Sequence, residues 1–207
     1  MSRVGVIDFE TTGLAPALGH RATEVAIVLM EDGQVVARFQ SLMNAGVRIS
    51  PFIEQYTGIS NEMVRAAPPA SDVMAQALRF VKGVPLVAHN ASFDQRFWAA
   101  EVGRLGPGAS ADHSFACTML LSRRLYPQAG SYRLQSLASF HALPSAGRAH
   151  RAMADAEVAA ALLARIQQDI QRAYRVQAAP HELLVKLQRT QRKALPKAIE
   201  AYFDALR

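Results

Sequence analysis

A chain of 207 residues, half of them hydrophobic and 19% charged, can fill one domain with a sizeable core and is too apolar for wholesale disorder. A single cysteine, Cys117, excludes an internal disulfide framework and a zinc site built from several thiolates, and it fits a reducing compartment. The formal charge of +6 is uneven: residues 172–207 carry eight Lys/Arg against three Asp/Glu, a net of +5, which leaves +1 for the first 171. Such a basic segment suits either a phosphate backbone or a merely solvated helical face. The N-terminus lacks a signal-peptide layout and no run approaches about 18 charge-free apolar residues, so no membrane span and a cytoplasmic location are expected.

In chain order, Val4–Phe9 predicts a short buried strand, broken by Thr11-Thr12-Gly13-Leu14. Glu24–Met30 and Gln34–Leu42 predict two more strands, joined by a hairpin at Glu31-Asp32-Gly33. Met43–Gly58, interrupted by Gly46 and Pro51, reads as irregular. Ser60 and Ser71 are candidate N-caps of two short helices parted by Pro68-Pro69. Pro85–His89 predicts a fourth strand, Ser92–Val102 a helix capped by Asn90 or Ser92, and Ser114–Ala116 a brief fifth strand. Thr118–Leu125 and Arg133–His141 read as helices, with loops at Gly103–Gly108 and Pro144–Gly147. From Ala152 the helical signal is strong: Ala156, Ala159, Ala160, Leu163, Ile166 and Ile170 fall on one face. Two further helices are predicted over Glu182–Lys193 and Pro196–Leu206. The pattern implies an α/β layer fold with a mixed sheet over residues 1–171 and a basic helical extension over 172–207.

Three segments carry chemistry. In Asp8-Phe9-Glu10 the strand alternation puts both carboxylates on one face, where burying like charges calls for compensation. A hard divalent cation supplies it, and a solvated strand end is the plainer alternative. In His89-Asn90-Ala91-Ser92-Phe93-Asp94 a strand gives way to a helix with Asp94 in its first turn, a place where Asp is common for the dipole alone. In His150-Arg151-Ala152-Met153-Ala154-Asp155 the five-residue offset would splay the two side chains by roughly 140° on one helix, so His150 is expected on the preceding loop. Together these acids and one histidine can assemble a two-metal phosphoryl-transfer site in which the histidine takes a proton from the attacking water.

These segments, from Val6 to Leu14, His89 to Asp94 and His150 to Ala156, resemble the three exonuclease motifs of the DEDDh (DnaQ-like) family. That family includes the proofreading epsilon subunit of bacterial DNA polymerase III, exonuclease X, ribonuclease T and oligoribonuclease. Tyr56–Val64 and Cys117–Pro127 resemble its intervening segments, and the likeness spans about residues 3–170. The resemblance implies a ribonuclease-H-like mixed β-sheet flanked by helices. It implies that Asp8, Glu10 and Asp155 ligate two Mg²⁺ or Mn²⁺ ions, with Asp94 completing the set directly or through water. It implies His150 as general base; Arg151 stands where a sister class carries Tyr. Thr11, Thr12 and Leu14 are expected beside the terminal nucleotide, and Asn90 and Phe93 as pocket or supporting residues, with Phe93 more in the core. Thr57 departs from the His that many relatives carry before Gly58-Ile59, and no glutamine-plus-aromatic clamp motif is present. His20, His113, His141 and His181 read as surface or structural, and Cys117 and Trp98 as core.

The implied activity is 3′–5′ exonucleolytic release of nucleoside monophosphates from single-stranded or frayed DNA 3′ ends, of repair or proofreading type. The alternatives are a 3′–5′ exoribonuclease or oligoribonuclease, or a non-catalytic module that binds strand ends or a polymerase. Association with a polymerase or with itself is compatible with the family, and no membrane partner is expected.

Overall fold

The computed structural model describes residues 3–144 and 150–207. The predicted loop at Pro144–Gly147 therefore lies almost wholly outside the described residues.

Strands β1 (Arg3–Thr11), β2 (Ala22–Glu31) and β3 (Gln34–Leu42) form an antiparallel meander. Asp32 and Gly33, both at positive φ (48° and 81°), make the tight turn between β2 and β3, the backbone that a two-residue hairpin needs. Strands β4 (Leu86–Ala88) and β5 (Phe115–Cys117) then add in parallel, giving one five-stranded sheet of order β3-β2-β1-β4-β5. The mixed sheet flanked by helices is the expected architecture.

The side-chain period of two sorts β1 cleanly. Val4 and Val6 face a core shared with the long helix α7 (Ala152–Tyr174), whereas Ile7 and Phe9 face one shared with α3 (Ala70–Phe80) and α4 (Ser92–Gly103). The apolar stripe of α7 is buried as its periodicity predicts, from Ala156 to Ile170. Trp98 and Cys117 are in the core, as expected. Helices α5 (Thr118–Leu125) and α6 (Leu134–Phe140) pack beside α7.

Three local expectations differ from the structure. Pro51–Thr57, within the stretch read as irregular, is a helix, α1. Its signals are complementary: Ser50 caps Ile53 N–H, Pro51 occupies the first turn and Gly58 closes the end at φ 74°. Helix α2 (Asn61–Ala66) is capped by Ser60 as expected, but α3 starts before Ser71. Pro69 bridges Asn44, and Ala70 N–H already donates to the Asn44 carbonyl (2.9 Å), which places the N-cap at Pro69, two residues earlier. Neither Asn90 nor Ser92 caps α4 with its side chain. Asn90 instead adopts φ 64°, and its carbonyl accepts from Phe93 N–H at 2.9 Å.

The C-terminal residues form α8 (His181–Arg189), a 3₁₀ turn at Arg192–Ala194 and α9 (Leu195–Asp204). Leu183, Leu184, Leu187, Leu195 and Ile199 are buried in the α7-side core. Gln188 of α8 completes the exposed edge of β5: its Oε1 accepts from Cys117 N–H (2.6 Å) and its Nε2 donates to the Phe115 carbonyl (3.2 Å). One amide thus stands in for a missing sixth strand. Gln188→Leu should lower unfolding free energy by about 2 kcal/mol, because it leaves a buried N–H and C=O unpaired. Urea denaturation of the two proteins measures it, and a difference within about 0.5 kcal/mol would show the edge satisfied by other means.

Candidate active site

Ligands of open α/β sheets collect outside the carboxyl ends of the strands where strand order reverses. In this sheet that point lies between β1 and β4, and the three chemical segments meet there. Asp8 and Glu10 end β1 on the α7 side, as the alternation requires. Asp155 enters from the first turn of α7, and Asp94 from the first turn of α4. Asp8, Glu10 and Asp155 each offer an oxygen within 4.8 Å of the others. Asp94 is buried and accepts a hydrogen bond from Phe9 N–H at 3.3 Å, which ties it to the strand that carries the first pair.

The electrostatics are those of crowded acids. Burial, then Asp94, Glu10, Asp155 and Glu24, push the Asp8 carboxyl well above the ordinary range. Burial, Asp155 and Glu24 raise Glu10 to about 8. Burial likewise raises Asp94 and Asp155, partly offset at Asp94 by backbone N–H groups and at Asp155 by the His150 N–H. Such a set of hard oxygens, its carboxyls pushed up by burial and mutual repulsion and short of positive charge, fits a divalent cation.

His150 lies just before α7, as expected, at φ 62°, an uncommon conformation for a side-chain-bearing residue. Its N–H donates to Asp155 Oδ2 (3.2 Å), and its ring packs on Tyr56 with centroids 4.0 Å apart. Phe52 in turn stacks on Tyr56 at 6.0 Å. A cleft of about 1110 Å³ opens here, lined by Tyr56, Asn90, Arg123, Gln135, His150 and Asp155 among others.

The remaining expected residues divide. Leu14 is 77% exposed on the turn after β1. The hydroxyls of Thr11 and Thr12 are engaged within that turn, Thr11 donating to the Gly13 carbonyl (2.7 Å) and Thr12 accepting from Arg21 N–H (3.0 Å). Gly13 is required by close approach, since a Cβ there would sit 2.5 Å from the His20 ring. Asn90 is exposed in the cleft wall. Phe93 packs against Phe97 (4.9 Å) in the α4-side core rather than in the cleft lining. His89 is structural: Nε2 donates to the Tyr132 carbonyl (3.0 Å), Nδ1 faces the Thr118 hydroxyl (2.9 Å), and burial holds its pKa down at about 4.

Two partners escaped sequence reading. Gln135 donates to Asp155 Oδ1 (3.0 Å) across 20 residues. Glu24, fully buried, lies opposite Glu10 in the β1–β2 register. It accepts two hydrogen bonds from Arg151 (3.1 and 2.9 Å), one from Ala152 N–H (3.2 Å) and one from Gln40 (2.8 Å). Burial alone would raise the Glu24 carboxyl, but these donors outweigh it and hold it below its ordinary value. The pair pins the start of α7, and so His150 and Asp155, to the sheet. The alternation of β2 put Glu24 on the Glu10 face, but nothing local marked its partner 127 residues away.

Arg151→Met should cost about 3 kcal/mol, the lower end for stranding a buried partner, because Arg151 itself is 31% exposed. Glu24→Gln in the same chain should recover part of the loss; urea denaturation of the single and double variants checks both. A second expectation concerns pH. The folded chain holds the Glu10 proton up to about 8, against an ordinary 4.5, so in chelator stability should fall as pH rises through that window. Mg²⁺ should reverse the fall at pH 8 and release protons on binding; thermal melts and a pH-stat titration measure these, and a flat profile in chelator contradicts the account. Glu24 acts in the opposite sense, its contribution being present above 4.5 and lost on acidification.

Known proteins resemble this chain in sequence and fold. The RNase_T exonuclease family model matches residues 6–163. The chain is 34% identical over 166 residues to the PolC-type DNA polymerase III of Caldanaerobacter subterraneus subsp. tengcongensis, covering 80% of this chain and 12% of that protein. It is 38% identical over 156 residues to the 3′-5′ exonuclease DinG of Bacillus subtilis, covering 75% of this chain and 16% of that protein. This chain thus spans under a fifth of the length of either relative. Among solved structures, exonuclease X in complex with 5′ overhanging duplex DNA superposes with a TM-score of 0.67 at 29% identity, covering 89% of this chain and 99% of that one. The nuclease domain of 3′hExo, a DEDDh family member, shares the fold with a TM-score of 0.67 at 19% identity. On its sequence match and its acidic site, the chain belongs to the RNase_T exonuclease family, in the DnaQ-like DEDDh class.

Proposed function

We propose that the chain is a metal-dependent 3′–5′ exonuclease that releases nucleoside monophosphates from single-stranded or frayed DNA 3′ ends. The observation that carries this reading is the convergence of Asp8, Glu10 and Asp155 within 4.8 Å, with His150 beside them at the mouth of an open cleft. Asp8, Glu10 and Asp155, with Asp94 directly or through water, are the residues to hold two Mg²⁺ or Mn²⁺ ions. When bound, such ions neutralise the acids and stabilise charge on the attacking and leaving oxygens. The chain's own groups do the rest. His150 accepts the proton of the attacking water and is kept at the site by its backbone bond to Asp155. Glu24 and Arg151 hold the helix that carries both. Leu14, exposed on the turn, wedges against the terminal base, and backbone N–H groups after Glu10 hold its sugar, with Thr11 and Thr12 fixing that turn. Asn90 contributes from the cleft wall, and Phe93 supports α4 from behind. The catalytic unit is taken as residues 1–171, with 172–207 as its basic extension. The preference for DNA draws on the likeness to exonuclease X, solved in complex with 5′ overhanging duplex DNA, and to the PolC-type DNA polymerase, which also makes a polymerase a candidate partner.

A 5′-labelled single-stranded DNA and its RNA twin, incubated with the chain and Mg²⁺, test this. A ladder shortening from the 3′ end, lost with chelator and with Asp8→Ala, is the expected outcome. His150→Ala should lower kcat by about 10²–10⁴. The faster twin names the substrate. Binding of both strands without degradation of either would instead favour a non-catalytic end-binding module.

A further inference from the structure

A second concave surface of about 830 Å³ lies between the end of α5, the second half of α7 and the 3₁₀ turn that leads into α9. Arg124, Arg172, Arg192 and Lys193 line it, with Tyr174 and one acid, Asp169. That acid is already engaged: Arg165 donates to both of its oxygens (3.0 and 2.9 Å), and the Tyr126 hydroxyl donates to Oδ2 (2.9 Å). Among the described residues none of the four lining cations takes part in an ion pair. The Nε of Arg124 is buried without a hydrogen-bond partner. Four cations brought to one groove repel one another, and a buried guanidinium donor left unpaired is costly. The repulsion among them is relieved by an anion with several acceptor oxygens.

We infer that this groove holds the sugar-phosphate backbone of the nucleic-acid strand upstream of the end being cut, an inference that rests on the exonuclease reading. The groove and the catalytic cleft are linked through α5, the groove lying toward the far end of α7 from Asp155. Arg123 and Arg124 are neighbours on α5; Arg123 lines the cleft and lies over the Tyr132 ring (5.8 Å to its centroid), while Arg124 lines the groove. The Tyr132 hydroxyl donates to the Tyr126 carbonyl (3.0 Å), so the two walls are joined by one short loop. A strand with its 3′ end at Asp8 and Glu10 passes α5 to reach the groove. Arg172, Arg192 and Lys193, three of the eight cations of residues 172–207, are then placed along the substrate's path rather than on a free surface. A polyanionic backbone fits better than an acidic protein patch, because the cations line a concavity and offer bidentate guanidinium forks to phosphate oxygens.

The test is affinity as a function of strand length and salt, in chelator so that no strand is cut. Arg192→Ala with Lys193→Ala removes two exposed cations, and an unchanged melting temperature verifies the fold. For a labelled thymidine strand of about twenty nucleotides, the double variant should bind on the order of tenfold more weakly near 100 mM salt. Its plot of log affinity against log salt should be shallower by about 1.4, two phosphate contacts on a single strand. A tetranucleotide, confined to the cleft, should bind both proteins alike. Equal loss at both lengths, or no loss at either, overturns the inference. Unchanged strand binding with weakened binding of polyglutamate overturns it in favour of an acidic protein partner. The exonuclease reading fails separately, if the unaltered chain with Mg²⁺ cuts no strand while still binding one through the groove.

Discussion

Asp8, Glu10, Asp94 and Asp155 are crowded where β1 ends, and the repulsion among them, added to lost hydration, is the constraint around which the rest of the fold is arranged. Without a counter-charge the crowding favours the protonated carboxyls, most clearly at Glu10. Asp8, Glu10 and Asp155 fit a metal site, and a divalent cation held there would turn that crowding into affinity for the ion. The site is thus poised rather than relaxed, a common condition of catalytic centres.

Two of the acids are held by backbone N–H groups. Phe9 N–H holds Asp94 against β1, and His150 N–H holds Asp155 at the head of α7. Opposite Glu10, Glu24 anchors Arg151 and the first N–H of α7. A register shift between β1 and β2 follows immediately after Glu10, so the ladder loosens just where the strand hands over to the exposed turn bearing Leu14. Stability and site geometry are coupled here: the Glu24–Arg151 ion pair, which ties β2 to the residue before α7, also sets where the histidine and the last acid stand.

The C-terminal residues serve both ends of this scheme. Through Gln188 and its leucines, α8 seals the open edge of β5 and extends the α7-side core. The 3₁₀ turn between α8 and α9 presents Arg192 and Lys193 to the groove that Arg124 and Arg172 also line. One short extension therefore both seals an edge strand and adds cations to that groove.

What could be read from the sequence was what short-range periodicity encodes. The period of two in Val4–Glu10 put Asp8 and Glu10 on one face, Asp32-Gly33 marked the hairpin, and the stripe from Ala156 to Ile170 marked α7. The order of the acidic segments identified the family, and with it the ribonuclease-H-like sheet. The helix at Pro51–Thr57 was legible only in part, because Pro51 reads equally as a breaker and as a first-turn residue. The Glu24–Arg151 pair was not legible, nor was Gln188 on the β5 edge or the groove of four cations. Each depends on groups distant in sequence, whose meeting is set by strand order and helix packing. Local propensity chose the elements and the faces; only the tertiary structure chose which faces met, since a buried polar group is settled by the partner that desolvates beside it and not by its neighbours along the chain.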